Sequence, residues 1–413
     1  MELFGQEELK QVMEVMEGGF HFRYGVSVGD EVDPRFKAKV FQAEKDFARA
    51  CQVPYAIAVN SGTASLLTAF AGLGVGPGDE VIVPGYTFIA SISTIVFSRA
   101  IPILAEEDRT LNMDPKDLEA KITPRTKAIC VVHMMGNPAR MDELKAVADK
   151  HGIPILEDCA QAFGASYKGK PVGSMGKIGA FSLNAYKMIT CGEGGMITTH
   201  DEDLYKRCFA FHDQGHVPHR TGVEIGKRPF IGLNFRMTEL QGALVIAQIP
   251  KTKLILEHLR RNKKRYKELV ADLPGIEFRE VTDPDGECAT IVSIFLPTAE
   301  IAQKIATDLK SKVLAQAGWH VYNNMEQLLE QRTITPEACP FTCPYYTSKA
   351  PRVSYRKGML PQTDDLLNRT FNIGIGLTDP NLSSAFGMTI HDGLDVVEQK
   401  AALFRKVAEK YLK

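Results

Sequence analysis

Seven short apolar runs, rich in Val and Ile, recur along the chain at 55–59, 80–84, 101–105, 128–133, 153–157, 180–183 and 196–199. Longer amphipathic stretches separate several of them. Runs this short and uniformly apolar fit strands buried on both faces. Their alternation with helical patterns predicts a mostly parallel seven-stranded sheet covered by helices. One helix is expected over 63–73, opening at Ser61-Gly62-Thr63. Another is expected over 141–151, with an acidic first turn and Gly152 as its C′ glycine. Residues 1–50 read as two helical patches around the stretch FHFRYG. A long basic helix over 249–273, EHLRRNKKRYKELVADL, ends at Pro274-Gly275, and its Lys and Arg run reads as a solvated face. A strand at 291–296, a helix at 299–311, a loop-rich region at 331–361 and a last helix at 394–411 follow. The pattern predicts a large α/β domain over 1–250 and a smaller α+β domain over 251–413.

Composition narrows the class. Hydrophobic residues make up 44% of the 413 positions and charged residues 24%, so general disorder is excluded. Lys plus Arg is 49 against 50 for Asp plus Glu, so no basic excess exists for a dedicated nucleic-acid binder. No apolar run approaches the roughly 18 residues of a membrane span. The start, MELFGQEELK, lacks the basic and apolar blocks of a secretory signal. Eight scattered cysteines fit the reducing cytoplasm. Cys339 and Cys343 have no second ligand pair at zinc spacing, so no metal is expected there.

Three segments carry candidate chemistry. In 181–195, FSLNAYKMITCGEGG, Lys187 follows a strand end and precedes Gly192, Gly194 and Gly195. A desolvated lysine in a glycine-rich setting can form a Schiff base; a surface lysine before a turn is the competing reading. In 153–165, IPILEDCAQAFGA, a buried strand runs into Glu157-Asp158. Ligands in open α/β sheets sit beyond the carboxyl ends of strands. A carboxylate there suits a protonated pyridine nitrogen, or else a helix N-cap. In 59–66, VNSGTASL, a helix N-terminus with free N–H groups suits phosphate. A phosphate cradle, an acid and a lysine, in this order, are parts of one device.

The segments NSGTASL (60–66), PGYTFIAS (84–91), EDCAQAFGA (157–165), FSLNAYKMITCGEGGM (181–196) and GLNFRMTELQGAL (232–244) together resemble one family. It is the pyridoxal-phosphate-dependent sugar aminotransferases of the DegT/DnrJ/EryC1/StrS group, with the aspartate-aminotransferase fold (fold type I). The resemblance implies a pyridoxal 5'-phosphate cofactor held covalently on Lys187, which then acts as general acid and base. It implies Asp158 on the pyridine nitrogen, Gln161 on the phenolic oxygen and Phe88 stacked on the ring. Gly62, Thr63, Ala64 and Ser182 would hold the phosphate. Asn234 or Arg236 would reach the neighbouring subunit's site, making the active form a homodimer. The implied reaction is ping-pong transfer of an amine from an amino acid, glutamate, to a keto or aldehyde sugar. A relative that dehydrates instead has histidine at the lysine position, so Lys187 argues against that branch. The FRYG, ITCGEGG and GLNFR wording is most similar to the aminotransferases that make 8-amino-3,8-dideoxy-octulosonate. That implies an 8-oxo sugar acid of the Kdo type as acceptor; a nucleotide-linked keto-sugar or an amino-cyclitol precursor stays open.

The acceptor pocket is expected to draw on Arg23 and Tyr24, on His212, His216 and Arg220, and on His320, Tyr322 and Asn323, each with ordinary packing as its alternative. Arg23 and Arg220 could clamp a carboxylate or a diphosphate. The stretch 211–220, FHDQGHVPHR, places His212 and His216 four apart, but Gly215 and Pro218 disfavour the helix a metal pair needs. It reads as an active-site loop. The stretch GSMGKIG (173–179) lacks Ser or Thr after Lys177 and reads as a turn rather than a phosphate loop. A nicotinamide oxidoreductase would need G-x-G-x-x-G after the first strand, which NSGTAS is not. A non-catalytic cofactor-binding sensor would need a DNA-binding module for which the reading leaves no space.

Overall fold

The computed structural model describes residues 3–412 apart from 25–26, 29–30, 219–225, 227, 377 and 381–382. Seven strands form the central sheet: β1 (Tyr55–Val59), β2 (Glu80–Pro84), β3 (Ile101–Ala105), β4 (Thr126–Val132), β5 (Ile155–Asp158), β6 (Ile178–Ser182) and β7 (Gly195–Thr199). Their order is β1-β7-β6-β5-β4-β2-β3, with β7 alone antiparallel to its neighbours. These are the seven runs expected from the sequence, with ends shifted by at most two residues. β5 begins only at Ile155 because Pro154 has no N–H, although its carbonyl still accepts from Ile129 at 3.0 Å.

Period-two alternation explains the layers. Along β4, Ala128, Cys130 and Val132 pack with one hydrophobic cluster, whereas Ile129 and Val131 pack with Met141, Leu144 and Ala148 on the other face. The helices in those layers include α1 (Gln6–Gly18), α2 (Lys39–Ala50), α3 (Gly62–Gly72), α4 (Ile89–Phe97), α5 (Pro115–Lys121), α6 (Met141–His151), α7 (Glu202–His212) and α8 (Glu239–Gln248). α6 has the expected bounds and ends on Gly152, whose φ of 66° is left-handed.

β6 and β7 pair as neighbours, so residues 183–194 form a closed connection at the sheet's carboxyl edge. Leu183 N–H donates to Gly194 O at 2.9 Å, Cys191 N–H to Leu183 O at 3.0 Å, and Ala185 N–H to Gly192 O at 3.1 Å. Gly195 is required where β7 starts, since a Cβ there would lie 2.3 Å from Ser61 O.

After α8 a turn leads to α9 (Thr252–Val270), which buries Ile255, Leu259, Tyr266 and Val270 at helical spacing. Its basic run is not wholly solvated: Lys263 is buried and paired with Glu287 at 2.5 Å. A three-stranded antiparallel sheet follows, β8 (Glu277–Phe278), β9 (Ile291–Phe295) and β10 (Thr370–Gly374), with α10 (Ala299–Asp308), α11 (Pro361–Arg369) and α12 (Leu394–Ala408). The strand β10 is not among the elements expected from the sequence, because Asn372 and Gly374 dilute its apolar run. One hydrophobic cluster joins Phe47, Phe163 and Phe181 to Leu259, Ile294 and Phe404, so the core is continuous through both parts of the chain.

Candidate active site

The loops after β1, β2, β5 and β6 open at one edge of the sheet and enclose a pocket of about 660 Å³. Residues 290–291, 318–320 and 379 close it from the C-terminal part.

The phosphate-type cradle is built by the start of α3. Ser61 caps that helix, its Oγ accepting from Ala64 N–H at 3.0 Å. Ala64, also expected at the phosphate, gives its amide to that cap and does not line the pocket. The amides of Gly62 and Thr63 lie in the first turn, where no helical carbonyl precedes them. Ser182, at the end of β6, stands against Gly62. A Cβ on Gly62 would lie 2.6 Å from that of Ser182, which explains the glycine.

Asp158 ends β5 and faces the pocket with 4% exposure. Its Oδ2 accepts from Ser91 Oγ at 2.7 Å and its Oδ1 from Ala160 N–H at 3.1 Å. Burial raises its pKa above the ordinary carboxylate value, against the pull of those donors, Lys187 and His133. Glu157, one residue earlier, takes up the amides of Gly173, Met175 and Gly176 at 2.9, 2.7 and 2.5 Å and His133 Nε2 at 3.0 Å. His133 Nδ1 accepts from Ala139 N–H, so the ring proton sits on Nε2, towards Glu157. His133, Glu157 and Cys159 are close enough to hold a metal. The histidine and carboxylate atoms are already engaged, however, and burial pushes the Cys159 thiol far above its usual range. The cluster braces the sheet.

Lys187 lines the same pocket. Desolvation lowers its amine pKa, with Asp158, Asp379 and Glu193 opposing. Gln161 lines the pocket too, its Oε1 accepting from Met135 N–H at 2.9 Å. Phe88 is 42% exposed, and its ring centroid lies 5.1 Å from that of His320 across the pocket. The geometry thus gathers Gly62, Thr63, Phe88, Asp158, Gln161, Ser182, Lys187 and His320 in one place.

Other expected residues lie elsewhere. Arg23 is corrected from a substrate clamp to a core residue, 1% exposed and paired with Glu44 Oε1 at 2.7 Å. His212 is corrected likewise: it continues the apolar face of α7, its Nδ1 lies 2.6 Å from Phe209 O, and burial, then the Arg23 charge, lowers its pKa to about 3. His216 is also buried, outside the pocket lining. Tyr24 donates to Asp213 Oδ2 at 2.5 Å. Tyr322 is a core residue whose hydroxyl donates to Asp364 at 2.9 Å, beside Asn323 at 2.7 Å from the same carboxylate. Asn234 and Arg236 do not line the pocket; Arg236 pairs with Asp213 at 2.6 Å. Arg220 lies outside the described residues. Sequence reasoning missed Thr87, Ser91, Trp319 and Asp379, all of which line the pocket. Thr87 and Ser91 lay inside the quoted PGYTFIAS segment, and Trp319 stood beside His320.

A model of the DegT/DnrJ/EryC1/StrS aminotransferase family matches residues 6–378. The chain belongs to that family. Among relatives, GDP-perosamine synthase of Caulobacter vibrioides is 44% identical over 226 residues, which is 54% of this chain and 59% of that protein's length. L-glutamine:2-deoxy-scyllo-inosose aminotransferase of Streptomyces fradiae is 32% identical over 378 residues, covering 86% of this chain and 87% of that one. The X-ray structure of the aminotransferase from Psychrobacter cryohalolentis superposes with a TM-score of 0.76 at 28% identity, covering 99% of this chain and 98% of that chain. The shared fold is that of the DegT/DnrJ/EryC1/StrS aminotransferases. Among the described residues no helix is long and apolar enough to cross a membrane.

Proposed function

We propose that this DegT-family protein is a pyridoxal-phosphate-dependent aminotransferase that moves an amine from an amino acid, glutamate, to a keto or aldehyde sugar. The observation that carries the reading is the placing of Lys187, Asp158 and the start of α3 around one pocket. Pyridoxal phosphate offers an aldehyde, a basic ring nitrogen and a phosphate, and these residues fit all three. When bound, the cofactor supplies an electron sink for a carbanion next to nitrogen.

The chain's own residues do the rest. The Gly62 and Thr63 amides and the Ser182 hydroxyl would hold the phosphate. Asp158 would keep a proton on the ring nitrogen, Gln161 would meet the phenolic oxygen, and Phe88 would cover the ring face. Lys187 Nζ would anchor the cofactor through its aldehyde and, once released, would be the base placed to take a proton from the substrate carbon bearing nitrogen and hold it for return. Its lowered pKa leaves more of the amine unprotonated and able to act as a base.

For the acceptor, Trp319 offers an aromatic face to a sugar ring, and Asp379 and His320 offer polar partners for hydroxyls. Our finer reading is an 8-oxo sugar acid of the Kdo type, supported by the FRYG, ITCGEGG and GLNFR wording. A nucleotide-linked keto-sugar or an amino-cyclitol precursor is favoured instead by the names of the relatives. We also place Asn234 or Arg236 at the neighbouring copy's site in a homodimer, since neither lines its own pocket.

Protein supplied with pyridoxal phosphate should turn yellow, lose the colour with glutamate, and regain it with the true acceptor. Lys187→Ala should lose both the covalent linkage and turnover. A variant with normal amine transfer refutes the assignment, and a wild type that binds cofactor but never reacts with an amino donor would be a sensor.

A further inference from the structure

We propose that Ser91, backed by Thr87, is a positioning residue that keeps Asp158 ionised and aimed at the cofactor's ring nitrogen. The inference rests on the pyridoxal-phosphate reading of the pocket.

Asp158 is 4% exposed. Burial by itself favours the neutral acid, and a neutral acid cannot keep a proton on a ring nitrogen. Two donors oppose this. Ala160 N–H reaches Oδ1 at 3.1 Å and Ser91 Oγ reaches Oδ2 at 2.7 Å. The first is a backbone group that any residue would supply. The second depends on the side chain at one position in the first turn of α4.

The relay has a direction. Ser91 has one hydroxyl proton, and the carboxylate takes it. In the 2.8 Å contact between Ser91 Oγ and Thr87 Oγ1, Ser91 is therefore the acceptor and Thr87 the donor. The chain of donation runs from Thr87 to Ser91 to Asp158, and each bond polarises the next. Both hydroxyls belong to residues only 1% exposed, so bulk water cannot replace them.

The titratable groups facing Asp158 are Lys187 and His133, while Glu157 next to it is engaged by His133 and the 173–176 backbone. The lysine's charge changes whenever its amine changes partner. His133 commits its Nε2 proton to Glu157. The hydroxyl relay is the side-chain contribution that stays constant through a catalytic cycle, beside the fixed Ala160 amide. Thr87 also precedes Phe88, so the same hydrogen bond ties the ring-covering wall to the acid.

The test uses holoenzyme of Ser91→Ala, Ser91→Thr and Thr87→Val. The readouts are the pH midpoint of the bound cofactor's absorbance change, and kcat and KM for the amino donor. A ring nitrogen that holds its proton less firmly lets the nearby C=N nitrogen keep its own proton to higher pH. Ser91→Ala should therefore raise the midpoint by about one pH unit and lower kcat on the order of tenfold, with KM little changed. Ser91→Thr should restore both, and Thr87→Val should shift the midpoint upward by less. An unmoved midpoint and normal kcat in Ser91→Ala overturn the proposal. Should that variant not fold, Thr87→Val decides: a raised midpoint supports the relay and an unmoved one overturns it. A wild-type protein that takes up no cofactor would sink the functional reading instead, and no midpoint would then exist to measure.

Discussion

Replacing Arg23 separates a core role from a substrate role. The guanidinium donates to Glu44 Oε1 at 2.7 Å and to Ala58 O at 3.4 Å, and lies 5.7, 5.0 and 5.5 Å from the ring centroids of Tyr24, Phe41 and Phe209. Removing one member of a buried ion pair costs about 3–5 kcal/mol, because the other charge stays buried. Glu44 still accepts from Ala58 N–H at 2.7 Å, which places Arg23→Met in the lower half of that range. At roughly 3.5 kcal/mol, and with the whole chain unfolding as one unit, Tm should fall by about 4 °C. The companion variant Arg23→Met/Glu44→Gln, which leaves no orphaned charge, should lose less than Arg23→Met alone. Thermal unfolding by circular dichroism, paired with steady-state kinetics, reads both quantities. An Arg23→Met protein with unchanged Tm and a raised acceptor KM would refute the core assignment and return this arginine to the substrate.

Gly62→Ala should weaken pyridoxal-phosphate binding on the order of tenfold or more, since the new Cβ drives the start of α3 away from Ser182; equilibrium dialysis would show it, and unchanged affinity would contradict the cradle. Glu107 is fully buried and its pKa is pushed up by burial from 4.5 to about 8. Folding therefore favours its neutral form, and stability is lost as pH rises through that window. Thr363 Oγ1 lies 2.5 Å from Glu107 Oε2 and 2.6 Å from Glu106 Oε2 with one proton to give, so a protonated Glu107 donating to it completes the chain. Glu107→Gln should fold and flatten that decline in denaturant titrations between about pH 4.5 and 8; an unchanged slope would show that another group titrates.

Much of this was legible in the sequence for physical reasons. A strand buried on both faces is written as an apolar run, so all seven central strands could be read, and the three chemical segments stand directly after β1, β5 and β6. Side chains whose fate depends on distant partners could not be read. Arg23 looks like any cationic loop residue until Glu44 and three aromatic rings close around it. His212 looked like part of a polar histidine loop, yet it lies three residues after Phe209 on the buried face of α7. Asp379 follows β10, a strand that itself went unread, so nothing local pointed it at Lys187. Ser91 was quoted within a motif, but its bond to Asp158 spans 67 positions and exists only once β5 and α4 are docked.

The pairing of β6 with β7 constrains how Lys187 can move. Its backbone rides on a bight stitched at both ends into the sheet, so shifting it would unpick ladder bonds on either side. In the proposed reaction, moving the proton would then be left to rotation of the Lys187 side chain about its own four methylenes. An inserted or deleted residue between 183 and 194 should be far more damaging than a change of side chain there, because the reach of that arm is set by where its shoulder is pinned.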